Sequence, residues 1–237
     1  MENLTSSEII EKAIGYGATM AGIARIEALK KSPTYLVYSQ NPHYDDFLSI
    51  PEWPVDMPSI LVFGLEHSSS EPDMDWWDEL PGGTPGNRKL IEIQKQMKKW
   101  LQEEKEVAAR ALPYKIEKGG VFLKDAAALA GLGVFGRNNL LLTTGYGASV
   151  RLRAMFLSVE LETSGPSKFN PCADCDQFCF QACPQKAFRN GAYERKFCKI
   201  QMEMDEKNQS PQTENSELFF VRYCRECELA CPSNFAL

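Results

Sequence analysis

Eight cysteines, all in the last third of this 237-residue chain, constrain its structure more than any other feature of the sequence. They form two runs, each with a C-x2-C pair and a Cys-Pro end: Cys172-x2-Cys175-x3-Cys179-x3-Cys183-Pro184, and Cys198 followed by Cys224-x2-Cys227-x3-Cys231-Pro232. This pattern is typical of proteins that hold two 4Fe-4S clusters, in which the cysteine before the proline ligates the other cluster. We therefore expect a small module whose two clusters pass electrons between them.

Because the two runs cross over, each cluster is expected to draw ligands from both runs. One predicted ligand set is Cys172, Cys175, Cys179 and Cys231, and the other is Cys183, Cys198, Cys224 and Cys227. Three residues, one more than in the usual bacterial spacing, separate Cys175 from Cys179. The spacing therefore places Cys179 less firmly than the other ligands.

Two other uses of the cysteines remain open. Zinc also accepts four cysteines at C-x2-C spacing, and cysteine-rich secreted domains form disulfides. The paired Cys-Pro ends favour iron-sulfur clusters over zinc, and the sequence begins without the basic segment and apolar core of a secretion signal. No apolar run approaches the roughly 18 residues of a membrane span, so we expect a cytoplasmic protein without a membrane segment.

Charge is unevenly distributed along the chain, whose net charge is −6. Residues 32–87 contain ten acidic residues and no lysine or arginine, whereas residues 110–153 contain seven basic residues and two acidic ones. The basic stretch would suit an anionic group such as a phosphate-bearing cofactor, although two solvated faces of opposite charge explain the pattern equally well. A pI near 5.2 argues against a broad nucleic-acid-binding surface.

Capping signals and apolar spacing predict the main helices and strands. Helices are expected after the capping-box sequence Thr5-Ser6-Ser7-Glu8 and over residues 88–112 and 123–130. Strands are expected over residues 20–24, 59–65, 140–143 and 150–156, with a proline-rich loop between the first two. In the last strand, apolar residues alternate with Arg151 and Arg153, so that strand should be half buried with both arginines on one face.

The run from Lys124 to Leu142, KDAAALAGLGVFGRNNLLL, and the following Tyr146-Gly147-Ala148-Ser149 resemble the epoxyqueuosine reductase family and the related reductive dehalogenases. The cysteine runs and the ending Cys231-Pro232-Ser233-Asn234 resemble the same family. The resemblance implies an α+β fold, in which a nitroreductase-like α/β cofactor domain (1–165) is followed by a ferredoxin-like module (166–237) with two 4Fe-4S clusters. The polar connector at 164–171 fits a boundary at that place.

In that family the first domain holds cobalamin, so the resemblance implies a corrinoid-dependent iron-sulfur reductase that acts on a small molecule. The residues implied to lie around the corrinoid are Lys124, Asp125, Gly131, Gly133, Gly136, Arg137, Asn138 and Ser149. The family's acidic proton donor would fall at Glu117, and Tyr114 is a second candidate catalytic residue. If no corrinoid is bound, the glycines are explained as a helix cap and a tight entry into a strand. Glu117 is then an ordinary surface residue and Tyr114 an ordinary packed one.

The expected partners follow from the same resemblance. The sequence ends five residues after Pro232, where tRNA-modifying members continue into helical repeats. We therefore expect a short form without a nucleic-acid partner, reduced by a donor such as ferredoxin or flavodoxin. An alternative is electron transfer alone, in which the chain reduces a corrinoid or other redox centre on a partner protein and residues 32–87 form the docking surface. The two histidines, His43 and His67, are expected to be ordinary loop or strand-end residues.

Overall fold

The computed structural model describes residues 4–40, 53–211 and 218–234. Within these ranges the helices are α1 (Ser6–Gly15), α2 (Ile26–Lys30), α3 (Pro33–Gln40), α4 (Pro85–Glu104), α5 (Leu123–Leu129), α6 (Phe178–Ala182), α7 (Arg195–Lys207) and α8 (Glu226–Leu229). The strands are β1 (Met20–Arg25), β2 (Ser59–Glu66), β3 (Trp77–Asp78), β4 (Ala109–Ala111), β5 (Val134–Phe135), β6 (Leu141–Leu142), β7 (Val150–Leu157), β8 (Phe188–Arg189), β9 (Ala192–Tyr193), β10 (Ser210–Pro211) and β11 (Phe219–Val221).

The chain divides into two compact units, each made of separate segments. The first unit consists of Met1–Leu65, Leu90–Gly133 and Leu152–Lys168. The second unit consists of Glu66–Lys89, Val134–Arg151 and Phe169–Leu237. The predicted domains, 1–165 and 166–237, differ from these units, because two segments that we placed in the first domain pack with the C-terminal residues. The division into a cofactor domain and a ferredoxin-like module stays a prediction.

The first unit is built on a four-stranded sheet with the strand order β1-β2-β7-β4. Strand β1 pairs antiparallel with β2, with Met20 opposite Gly64, and β4 pairs antiparallel with β7, with Ala109 opposite Leu157. Helices α1 and α4 and this sheet share a buried apolar core that includes Ile9, Phe63, Met97, Trp100, Leu101 and Met155. The first unit therefore has a hydrophobic core of its own.

Sequence signals predicted the two helices of this core correctly. The Thr5 hydroxyl accepts the Glu8 N–H at 3.2 Å and caps α1. Helix α4 buries Leu90 and Ile93 on the apolar face that the spacing predicted. It ends at Glu104, before the predicted end at residue 112, because residues 109–111 pair with β7 as strand β4.

Two predictions for the first unit are wrong. The stretch after β1, predicted to be a loop, contains helices α2 and α3, which bury Leu29, Tyr35 and Tyr38. Burial of these side chains outweighs the proline-rich composition. Strand β7, predicted to be half buried, is buried at every position except Arg151, because both of its faces are covered.

The second unit consists of small sheets, short helices and the 13-residue helix α7. Strands β10, β11 and β3 form a three-stranded sheet in that order, while β5 pairs with β6 and β8 pairs with β9. The rings of Trp76 and Phe220 stack with their centroids 4.5 Å apart, and the Arg222 guanidinium lies 4.2 Å from the centre of the Trp76 ring. No helix in the described ranges is both long and apolar enough to cross a lipid bilayer.

Candidate functional site

The second unit places four of the predicted cluster ligands around one cavity. These four thiols, the first cysteine set, are Cys172, Cys175, Cys179 and Cys231. They line a cavity of about 370 Å³. Helix α6 carries Cys179, and Cys231 follows α8 and packs with Cys172 in a small apolar cluster. Cysteines that are far apart in the sequence therefore meet at one place.

The pKa of the Cys179 thiol reflects how close the four thiols lie to one another. Burial, together with the neighbouring Cys231, Cys175 and Cys172, raises the pKa of the Cys179 thiol to about 11. Thiolates gathered in this way repel one another unless a cationic metal centre lies between them. The four groups are thus near neighbours at a site whose donors suit a metal.

The longer spacing before Cys179 is accommodated by the backbone at Gln177. This residue has φ +58°, a left-handed conformation, at the start of α6. Such a conformation costs roughly 1–2 kcal/mol for a residue with a side chain. The turn leaves Cys179 in the cavity wall with Cys172 and Cys175, so the additional residue does not remove it from the set.

The other four predicted ligands are also neighbours of one another. This second cysteine set is Cys183, Cys198, Cys224 and Cys227. Burial, together with Cys224, Cys198 and Cys183, raises the pKa of the Cys227 thiol to about 12. The Ala187 N–H donates to Cys183 Sγ at 3.2 Å, and the Tyr193 hydroxyl hydrogen-bonds to Cys198. Hydrogen bonds to ligand sulfurs are one means by which proteins tune iron-sulfur clusters.

Both sets combine cysteines from the two runs, which is the grouping that the crossover predicts. Among the residues that the structure describes, no three His, Cys, Asp or Glu side chains converge on a point that could hold a single metal ion. A cubane cluster needs thiolates around a volume instead, because each of its four thiolates binds a different iron. The role of the eight cysteines as iron ligands stays a prediction.

A larger cavity reaches the second cysteine set. Its volume is about 640 Å³, and its walls include the exposed Cys224 and the side chains of Trp76, Asp205, Arg222 and Arg225. The Cys224 N–H donates to Asp205 Oδ2 at 2.8 Å. Cavities of this size hold small molecules in many proteins. The second set is therefore open to molecules from solvent.

A partly buried ion-pair network, which the sequence did not predict, adjoins the second cysteine set. His67 Nδ1 and Arg151 Nε lie 2.7 and 2.9 Å from Asp75 Oδ1. Both arginines, Arg151 and Arg225, form ion pairs with Glu228. Arg225 Nη1 also lies 2.6 Å from Asp75 Oδ2, an ion pair without hydrogen-bond geometry. Arg225 and Glu228 each directly follow a cysteine of the second set, so the network supports the loop that carries two of its ligands.

Asp75 is the centre of this network, and its partner His67 is fully buried rather than an ordinary strand-end residue. His67 Nε2 has no hydrogen-bond partner within the described part of the chain, and the ring packs against Gly86. Burial acts to raise the pKa of Asp75, but the hydrogen bond from His67 and the charges of Arg151 and Arg225 outweigh it and hold that pKa below its usual range. The one local signal for the network was the sequence C-R-E-C-E, in which charged residues alternate with cysteines. The other histidine, His43, lies outside the described residues.

Half of the predicted corrinoid-binding residues lie in the first unit. They are Lys124, Asp125, Gly131 and Gly133. The buried Asp125 carboxylate accepts the Thr34 N–H at 3.3 Å and its hydroxyl at 2.7 Å, which caps the start of α3. Gly131 has φ +75° after α5, and a Cβ there would lie 2.7 Å from the Ser164 carbonyl oxygen. Asp125 and Gly131 therefore have structural roles within their unit, while burial lowers the pKa of Lys124.

The remaining predicted corrinoid-binding residues lie in the second unit. They are Gly136, Arg137, Asn138 and Ser149. Arg137 is exposed in the turn between β5 and β6. Asn138 is 3% exposed and donates from Nδ2 to the Cys227 carbonyl at 3.3 Å, and the Ser149 carbonyl accepts the His67 N–H at 2.8 Å. Asn138 and Ser149 are thus bonded to the cysteine loop and the ion-pair network, and their contact with a corrinoid stays a prediction.

The two candidate catalytic residues lie on the surface of the first unit. Glu117 is exposed in a single 3-10 turn, Ile116–Lys118, and Tyr114 is 59% exposed. Nearby, Arg153 is buried and donates from Nη1 to the Leu112 carbonyl at 3.1 Å. Exposure suits an ordinary surface residue as well as a proton donor, so the catalytic role of Glu117 and Tyr114 stays a prediction.

Comparison with curated proteins finds epoxyqueuosine reductases, while no protein-family model matches the chain. The epoxyqueuosine reductase of Gloeobacter violaceus is 30% identical over 145 residues, which cover 59% of this chain and 44% of the relative. That of Lactococcus garvieae is 27% identical over 121 residues, which cover 50% of this chain and 34% of the relative. The chain thus spans less than half the length of these curated relatives.

Solved structures share the fold over almost the whole chain. An epoxyqueuosine reductase solved with an epoxyqueuosine-modified tRNA-Tyr stem loop has a TM-score of 0.68 at 17% identity, covering 97% of this chain and 65% of that chain. A catabolic reductive dehalogenase has a TM-score of 0.66 at 15% identity, covering 96% of this chain and 31% of that chain. The mixed α/β fold is therefore confirmed. This chain is similar in sequence to the epoxyqueuosine reductases and shares its fold with them and with the reductive dehalogenases, as the sequence resemblance predicted.

Proposed function

We propose that this chain is an iron-sulfur oxidoreductase that carries two 4Fe-4S clusters and uses them to supply electrons to a corrinoid-dependent reduction. The observation that carries the proposal is the grouping of the eight thiols into two sets of four, the first of which surrounds one cavity. The reductase activity is supported by the curated relatives, which are epoxyqueuosine reductases.

The protein's own groups around the thiols fit this function. Bound clusters would supply one-electron transfer. The Ala187 N–H and the Tyr193 hydroxyl, which bond to Cys183 and Cys198, would withdraw negative charge from those sulfurs and favour the reduced state. The Cys179 and Cys231 side chains are only 8% and 7% exposed, so the first set is the more shielded from water.

Two of the predicted corrinoid-binding residues, Arg137 and Lys124, have charge properties that suit a corrinoid. A bound corrinoid would supply a metal centre that, once reduced, attacks or reduces the substrate. Arg137 is an exposed cation that could contact an anionic side group, and Lys124, whose pKa is lowered by burial, can release a proton more easily than an exposed lysine. Glu117 and Tyr114 remain the proposed proton donors to the substrate.

The substrate has two candidates. The sequence favoured a small molecule and argued against nucleic acid. The structural neighbour solved with a tRNA stem loop and the curated epoxyqueuosine reductases favour epoxyqueuosine in tRNA instead, so a nucleic-acid partner is proposed as the second candidate.

Electron transfer to a partner's corrinoid remains the alternative function. The acidic stretch proposed for docking is less acidic at its surface than its sequence suggests. Asp75 is paired within the partly buried ion-pair network, and Asp78 is 3% exposed and bonded bidentately by Arg88. Residues 41–52, which carry three of the ten acidic residues, lie outside the described ranges.

Single serine variants of the cysteines test the proposal after anaerobic purification and reconstitution with iron and sulfide. We expect about eight irons per parent chain and about four in each variant. Because of the crossover, Cys231→Ser should leave the same residual EPR signal as Cys172→Ser, and Cys183→Ser the same as Cys224→Ser. Zinc in place of iron would overturn the iron-sulfur proposal, and a Cys231→Ser signal that matches the Cys224→Ser signal would overturn the assignment of ligands.

Titration of the reconstituted protein with cobalamin then separates the functions. A base-off cob(II)alamin EPR signal that saturates at one per chain, followed by turnover of either an epoxyqueuosine-containing tRNA stem loop or a small-molecule substrate, supports the reductase. Eight irons without corrinoid binding would leave the electron-transfer alternative.

A further inference from the structure

The second cysteine set has a cluster of exposed basic residues beside two of its members, Cys183 and Cys198. Residues 183–200 contain five basic residues and one acidic residue, Glu194, in a chain whose net charge is −6. All five cations are exposed, and we call them the basic face: Lys186, Arg189, Arg195, Lys196 and Lys199. We propose that the basic face is the docking surface for an acidic electron-carrier protein, which donates one electron at a time to the centre held by the second cysteine set. This inference rests on the proposed iron-sulfur function and names the partner of that site.

Two segments that carry ligands of the second set also carry the basic face. The Ala187 N–H, which donates to Cys183, lies between Lys186 and Arg189 in sequence. Cys198 lies in the first turns of α7, which begins at Arg195. The charge of Arg195 acts on the Tyr193 hydroxyl, which hydrogen-bonds to Cys198. A partner bound to these cations is therefore placed beside the thiols that it would have to reach.

Two of these cations are held together on one aromatic ring. The Arg189 guanidinium lies 3.6 Å and the Lys196 ammonium 5.0 Å from the centre of the Phe197 ring. Lys196 also pairs with Glu194 at 3.0 Å, but its side chain remains 72% exposed. Like charges at one place repel each other, so their arrangement fits attraction of an anionic partner better than stabilisation of the fold.

The start of α7 has the wrong charge for helix stability. A helix N-terminus favours acidic residues and disfavours cations, by roughly 0.3–1 kcal/mol for each charge. Helix α7 begins with Arg195 and Lys196 and has no acidic residue in its first turn; the acidic N-cap residue, Glu194, pairs with Lys196 and makes no side-chain cap. A local sequence that opposes its own helix is expected at functional surfaces.

An acidic protein fits this surface better than RNA does. Single-stranded RNA is recognised largely by stacking of bases on open aromatic rings, but Arg189 lies over the Phe197 ring and Phe180 stacks on Phe188 at 4.6 Å. A carrier protein needs only complementary charge and closeness to the metal centre, since such charges mainly raise the association rate. In the transfer the carrier loses one electron and the centre of the second set gains it, with no bond made or broken.

Binding of a labelled, oxidised flavodoxin, an acidic probe, tests the docking surface. The reversal variant Arg189→Glu/Lys196→Glu should weaken binding about tenfold or more at low ionic strength, the neutral variant Arg189→Gln/Lys196→Gln about threefold, and the difference should shrink as salt is added. The matched control, Lys95→Glu/Lys99→Glu, changes the net charge by the same amount. These two lysines are exposed and ion-paired on α4, so the control should bind as the parent does. The rate at which reduced flavodoxin bleaches the reconstituted clusters should follow the same order. Reduction by the cationic dye methyl viologen should be no slower in the reversal variant than in the parent at equal iron content, because the dye is not repelled by the new acidic groups.

Three results would overturn the proposal. Equal binding by the parent and the reversal variant would show that the basic face has no role in binding. Equal weakening in the lysine control would show that binding depends on the net charge of the chain and not on this surface. Loss of binding to a tRNA stem loop in the reversal variant, with flavodoxin binding retained, would assign the surface to RNA instead. Iron content and binding are measured on the same reconstituted preparation. A preparation without clusters would contradict the proposed function, whereas one with eight irons that binds flavodoxin equally in the parent and the reversal variant would contradict the docking alone.

Discussion

Gly86 lies in the first turn of α4, where alanine would form the helix better. A Cβ at this position would come within 2.2 Å of two atoms of the buried His67 ring. That ring is held on its other side by Asp75, 2.7 Å from Nδ1, so it has little room to move. Packing against His67, which follows β2, therefore explains why a glycine occupies this position. The helix itself does not require one.

Gly86→Ala should lower the free energy of unfolding by about 1–3 kcal/mol, because it overpacks a buried site. Gly15→Ala is the matched control, since Gly15 is also helical and a Cβ there would meet nothing within 4 Å. That control should be neutral or stabilising by about 0.4–1 kcal/mol. Chemical denaturation followed by circular dichroism measures both, and a neutral Gly86→Ala would show that the His67 ring is free to shift.

At the scale of elements, α8 and the residues before it combine two functions. In the sequence Cys224-Arg225-Glu226-Cys227-Glu228, two members of the ion-pair network, Arg225 and Glu228, each directly follow a predicted cluster ligand. Removing one partner of a buried ion pair leaves an uncompensated charge and is strongly destabilising. The network therefore fixes the position of a short helix that has too few residues to be stable by itself.

The lowered pKa of Asp75 gives this network a defined pH dependence. A carboxylate whose folded pKa lies below its unfolded value, about 3.9, stabilises the fold above that value, and this contribution is lost as the pH falls through the folded pKa. Asp75→Asn should therefore cost about 3 kcal/mol near pH 7, and its difference from the parent should shrink below about pH 4. Asp73→Asn, at an exposed position two residues away, serves as the control. Parallel stability curves for the parent and Asp75→Asn across this pH range would contradict the assignment.

At the scale of the whole molecule, the two units differ in what holds each of them together. The first unit has a sheet covered by α1 and α4 and a large buried apolar core. Apart from α7, the second unit consists of strands of two or three residues, short helices and the two cysteine sets. Metal binding that depends on a folded site adds directly to folding free energy.

Removal of iron should therefore loosen the second unit more than the first. After anaerobic chelation, amide hydrogen exchange should accelerate in α6 and α8, while protection in β1, β2 and the part of β7 in the first unit should change little. Mass spectrometry of peptides from the reconstituted and chelated protein measures both in one experiment. Equal loss of protection in the two units would show that they fold as one.

The sequence by itself determined the grouping of the cysteines, the first helix, the apolar face of α4 and the family resemblance. Each of these depends on residues a few positions apart or on a run that can be compared directly, so spacing and capping rules were sufficient. Only the tertiary structure decided that α2 and α3 are helices, that β7 is buried on both faces, and that Asp125 caps α3. It also revealed the network around Asp75, whose members lie at five positions between residues 67 and 228. Burial and charge pairing between distant segments outweigh local propensity, and no local pattern records which distant side chains will meet.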